Sequence, residues 1–85
     1  NFNLGSLSKA LDLSYDQTRA VADINQMFAS DMTNAAAASG NERKELRTKA
    51  INRDLAYMRT ALDKDQYKTY VMLLNATLNN RGLNK

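Results

Sequence analysis

Residues 13–35 read LSYDQTRAVADINQMFASDMTNA. Ser14 can accept a hydrogen bond from the backbone N–H of Gln17, and the Gln17 side chain can reach back to the Ser14 N–H. That reciprocal pair is a capping box, and it marks a helix start. Asp16 falls in the first turn, where the helix dipole favours negative charge. Val21, Ile24, Phe28, Met32 and Ala35 then recur at steps of three and four, one apolar stripe. Arg19, Asp23, Gln26 and Ser30 lie opposite. The run AAAA at 35–38 prolongs the helix, and Gly40 can take the left-handed conformation that ends it. The stretch therefore predicts a long amphipathic helix over 14–38.

The same start signal returns 49 positions later. Leu62-Asp63-Lys64-Asp65-Gln66 repeats the form of Leu13-Ser14-Tyr15-Asp16-Gln17. Asp63 is the expected N-cap and Gln66 its reciprocal partner, with Leu62 and Tyr67 placed to pack as a hydrophobic staple. Tyr67, Tyr70, Val71, Leu74 and Leu78 form the stripe of a helix over 63–81. Gly82 reads as the left-handed stop, with Leu83 placed to touch Leu78. Between the two phrases a helix over 41–62 is expected, with Ser39 and Glu42 as a further capping-box pair. Its main stripe is Ile51, Leu55, Met58 and Leu62. A weaker one holds Leu46, Ala50, Tyr57 and Ala61, which suits a helix with two neighbours. Leu4, Leu7, Ala10 and Leu11 suggest a short helix over 6–12, capped by Ser6, with Gly5 leaving the chain before it irregular.

These helices are roughly 25, 22 and 18 residues, or about 37, 33 and 27 Å. The fold class is all-α: three long helices in an antiparallel hairpin or bundle plus a short N-terminal one, in a single domain, either closed or splayed into an elongated dimer. Composition agrees. There is no Pro, aromatic residues are 7%, and helix formers abound.

Cys and His are both absent. That removes disulfides, Cys/His zinc sites and nucleophiles activated by His. Asp12 with Asp16, or Asp63 with Asp65, could be read as carboxylate pairs for acid–base work or metal; helix-start electrostatics explains most of them. No catalytic, cofactor-binding or metal residue is assigned, and the chain reads as a non-enzyme. No apolar run reaches the ~20 residues of a membrane span. The formal charge of +3 sits in the middle helix, where Arg43, Lys44, Arg47, Lys49, Arg53 and Arg59 outnumber Glu42, Glu45 and Asp54. These charges form no single stripe and no aromatic residues alternate with them, so nucleic acid is not an expected partner.

The paired phrases resemble the motif of the LTxxQ family, the Spy/CpxP group of small periplasmic helical proteins. That motif is Leu-Thr-x-x-Gln at helix starts, usually present twice. Leu13, Ser14 and Gln17 stand in the first place, and Leu62, Asp63 and Gln66 in the second. Ser14 and Asp63 replace Thr, and both can cap. The resemblance covers about residues 11–80, and members usually carry a longer insert between the phrases, so this chain looks like a shortened, divergent member. It implies an exported, periplasmic protein whose leader has been removed. It also implies a chaperone or envelope-stress adaptor that holds unfolded or acidic clients on a basic, partly apolar surface. Some relatives bind metal through His; without His, no metal is carried over.

On that reading Arg43, Arg47, Lys49 and Arg53 attract clients while Leu46 and Tyr57 supply apolar contact. The plainer reading of the same charges is a solvated face. Tyr57 with Leu46 is also the candidate contact for a homodimer, or else packs on the short N-terminal helix. Met32 and Met58 belong to core stripes, whereas Met27 and Met72 fall outside them as surface candidates. The competing functional class is a structural or oligomerisation module without a client.

Overall fold

The computed structural model describes residues 3–82. Four helices follow one another: α1 Leu4–Leu11, α2 Tyr15–Ala37, α3 Gly40–Ala61 and α4 Lys64–Asn80. The body measures 39 × 21 × 20 Å. It is an all-α bundle built on the α2–α3 hairpin, which supplies the closest helix–helix packing. Small residues allow that approach: Ala35 and Ala50 are both buried. α4 runs antiparallel to α3 and returns along α2, standing further off. Among the described residues no Cα of α4 lies within 8 Å of one in α2. Its Tyr70, Leu74 and Leu78 reach into the core, where they join Val21, Ile24, Phe28 and Met58. α1 packs on α2 and α4, burying Leu7 and Leu11, and Ser8 Oγ lies 3.4 Å from Thr18 Oγ1.

Helix ends follow the capping signals with two corrections, at the α2–α3 turn and at α1. At the turn α2 closes on the extended Ala38, so Gly40 is the first residue of α3 and not the left-handed stop of α2. α2 and α4 each start on a complete capping box, from Ser14 with Gln17 and from Asp63 with Gln66. Ser39 and Glu42 form none: Ser39 makes no side-chain capping bond. Gly40 follows it at φ +60°, outside the right-handed region, so the next N–H groups do not converge on the Ser39 hydroxyl. Arg43 Nε instead donates to the Ala38 carbonyl at 2.9 Å, closing the end of α2. The second correction is α1, which begins at Leu4 with Gly5 inside it. Its cap is Asn3, not Ser6; Asn3 Oδ1 accepts from the Ser6 N–H at 3.2 Å. Gly82 is left-handed at φ +69°, and its N–H donates to the Asn79 carbonyl. Leu83, the expected partner of Leu78, lies outside the described residues.

The buried face of α3 also departs from expectation. Its buried members are Ala50, Asp54 and Met58, with Leu62 continuing the line just past the helix. Ile51 and Leu55 pack against the core from half-buried positions. An acid occupies the middle of the stripe because Tyr70, fully buried on α4, brings a phenol that donates to it. Met27, expected at the surface, is half-buried and its Sδ accepts from Arg53. Met72 is exposed.

Candidate functional site

The two repeated phrases meet. The N-termini of α2 and α4 lie side by side, and the amides of Gln17 and Gln66 bond face to face. Gln17 Nε2 donates to Gln66 Oε1 at 2.7 Å, and Gln66 Nε2 donates to Gln17 Oε1 at 3.1 Å. Each oxygen also accepts from its own N-cap backbone, Ser14 N–H for Gln17 and Asp63 N–H for Gln66. Each nitrogen's other hydrogen crosses to the end of the helix preceding the opposite phrase. Gln17 Nε2 donates to the Ala61 carbonyl at 3.2 Å, and Gln66 Nε2 to the Leu11 carbonyl at 3.1 Å.

A primary amide offers two donor hydrogens and two acceptor lone pairs. Here both amides use all of theirs. The pair is reciprocal, and it ties four helix ends together: the starts of α2 and α4 and the finishes of α1 and α3. Asp12 helps to aim the Leu11 carbonyl by ending α1 in the left-handed conformation at φ 53°. Leu62 of the second phrase is buried in the core and Leu13 of the first packs against the same core. Chemically the lock has nothing left to offer a ligand, so the capping residues are structural.

The second polar feature is sealed inside the bundle. Tyr70 Oη donates to Asp54 Oδ2. Burial raises the Asp54 carboxyl to about 6, against a lowering by the Tyr70 hydrogen bond. Burial first, and then the neighbouring carboxylate, push the Tyr70 phenol well above its ordinary range. Asp54 Oδ1 has no hydrogen-bond partner among the described residues, nor do the two amide atoms of Asn25. The hairpin register runs from Gln17 against Ala61 to Met27 against Arg53. Interpolating between those contacts sets Asn25 opposite the turn of α3 that carries Asp54. None of these residues stood out in the sequence as a site. The usable signal was Tyr70 inside an apolar stripe, since a buried phenol needs a partner.

The six residues proposed for a client surface divide between two places. Arg43 and Arg47 stand over a cleft of about 290 Å³ at the hairpin-turn end, whose apolar lining includes Phe28, Met32, Leu74 and Leu78; Arg81 joins them from the end of α4. Leu46, Lys49 and Arg53 border a shallow groove with Asp31 and Asn34. There Arg53 pairs with Asp31 at 3.6 Å and its guanidinium lies 5.9 Å from the Tyr57 ring centre. Tyr57 is 46% exposed. Among the described residues no group of three or more acids gathers to hold a metal, and no helix is long and apolar enough to cross a membrane. Comparison with protein-family models, with curated proteins and with solved structures gives no match.

Proposed function

We propose that this chain is a non-catalytic periplasmic binding protein of the chaperone-like or envelope-stress-adaptor type. One observation carries the reading. Of the three acids that offset the six cations of α3, Asp54 is buried and bonded to Tyr70. Outside the core α3 therefore carries six cations, Arg43, Lys44, Arg47, Lys49, Arg53 and Arg59, against its own Glu42 and Glu45 and against Asp31 of α2, which pairs with Arg53. Arg43 and Arg47 stand over the cleft and the others lie away from it. Such a field draws acidic chains from a distance, and Leu46 and Tyr57 give them apolar contact on arrival. The twin capping phrases carry the family resemblance.

The assay is suppression of aggregation of a denatured acidic model client. Equimolar protein suppresses it at low salt. Suppression fades near 1 M salt, where the screening length is about 3 Å, and it weakens in a Lys49→Gln/Arg53→Gln variant. No suppression at low salt removes the client and leaves an oligomerisation module. The proposal includes a homodimer through Tyr57; a single 9.5 kDa species in sedimentation at high concentration removes that part.

A further inference from the structure

We infer that the cleft at the hairpin-turn end is a binding site for a small anionic amphiphile, an unbranched alkyl chain ending in one carboxylate. The inference does not rest on client holding, although Arg43 and Arg47 belong to both surfaces. The cleft is formed where α4 stands off from α2, and all three long helices line it. Its lining is apolar: Phe28, Met32, Leu74 and Leu78, with Ala35 and Ala36 beside them. Arg43, Arg47 and Arg81 are the charged residues of that lining, and no carboxylate is among them.

Charge decides the class of occupant. Three guanidinium groups beside one apolar hollow repel each other and have no acid within the lining to offset them. Arg43 uses its Nε on the Ala38 carbonyl, which leaves its two terminal nitrogens for a ligand. Arg47 and Arg81 form no ion pair among the described residues. Guanidinium forks match a carboxylate in geometry and in charge. An uncharged apolar ligand would leave the three cations uncompensated, and a free inorganic anion would leave the hollow unfilled.

Volume decides the size. At about 30 Å³ per non-hydrogen atom, the share of a water in the liquid, 290 Å³ holds about ten atoms. That is the count in octanoate. The hollow is at the small end of ligand pockets, so affinity is modest, with Kd on the order of 0.1–1 mM.

The test is titration of the full chain with octanoate, kept well below the concentration at which it forms micelles, followed by amide NMR shifts. Octanol, acetate and anionic phospholipid vesicles are the comparison ligands. Saturable shifts at Met32, Leu74, Thr77 and Leu78 support the inference, with binding weakened about tenfold in Arg47→Gln or Arg81→Gln. Circular dichroism melts confirm that both variants fold; if one does not, the other carries the test. Octanol binding as tightly as octanoate overturns the role of the arginines. Absence of saturation by octanoate, shifts confined to the outer face of α3, or binding to vesicles alone overturns the site. Dimerisation that protects the same amides and is unaffected by octanoate assigns the cleft to a second copy and also overturns it.

Discussion

Replacing Gln17 by glutamate separates a helix cap from a lock. If Gln17 only closed a capping box, a carboxylate would serve as well, because both side chains reach back to the N-cap N–H. The carboxylate would even gain about 0.3–1 kcal/mol from the helix dipole. In the structure the Gln17 amide makes four hydrogen bonds, and in two of them its nitrogen is the donor, to Ala61 O and Gln66 Oε1. A carboxylate has no donor, so Gln17→Glu sets oxygen against both of those oxygens. Gln66 can turn its amide toward the carboxylate only by pointing its oxygen at Leu11 O and its nitrogen at the Asp63 N–H. At about 0.5–1.5 kcal/mol per bond, Gln17→Ala should cost about 2–4 kcal/mol, the lower part of the sum because the site is partly wet. Gln17→Glu should cost at least as much at neutral pH, opposite in sign to the capping expectation. A cycle with Gln66→Ala gives an independent measure. The two single variants together delete eight bonds and the double variant only six, since two are shared. The double should therefore fall short of additivity by about 1–3 kcal/mol. Urea unfolding followed by circular dichroism measures each value. A Gln17→Glu variant as stable as the parent, or an additive cycle, would refute the lock.

Two further outcomes follow from burial and capping. The Asp54 carboxyl is raised to about 6 from 3.8, so between those values the folded state holds a proton that the unfolded chain releases. Stability attributable to this group is full below pH ~3.8 and falls as pH rises to about 6, by up to about 3 kcal/mol. Asp54→Asn keeps an acceptor for Tyr70 and should flatten that loss when urea midpoints at about pH 4.5 and 7.5 are compared with the parent; an unchanged difference refutes it. Ser14→Ala and Asp63→Ala should each cost about 0.5–2 kcal/mol in thermal unfolding, and a variant melting with the parent contradicts its cap.

The helices and their ends were legible because their causes are local. Ser14 with Gln17 and Asp63 with Gln66 are signals within four residues, and Gly40 and Gly82 mark turns that need a positive φ. The failures share a different origin. Ser39 with Glu42 had the right letters, but Gly40 rotated the chain away from them, a consequence of how α2 must reverse. Asp54 read as one of the offsetting acids on a charged helix, because only the arrival of Tyr70 from another helix makes its burial tolerable. The lock was half visible. The repeat was plain, yet its spacing of 49 carries no period; what joins Gln17 to Gln66 is that α3 returns the chain to its starting level. The client surface divided for a similar reason, since α4 contributes Arg81 to one side of α3 only.

The placement of the lock makes the two ends of the bundle unequal in motion. At one end α4 is held to α1, α2 and α3 by a saturated amide pair. At the other, α4 stands off from α2 across an apolar hollow into which Leu74 and Leu78 pack. Fluctuation should therefore grow along α4 beyond Tyr70, which is bonded to Asp54 of α3, toward Asn80, so that the far part of the helix swings while the part between the glutamine pair and Tyr70 stays fixed. Amide protection would record that gradient, and an occupant at the far end would be felt most where the swing is widest.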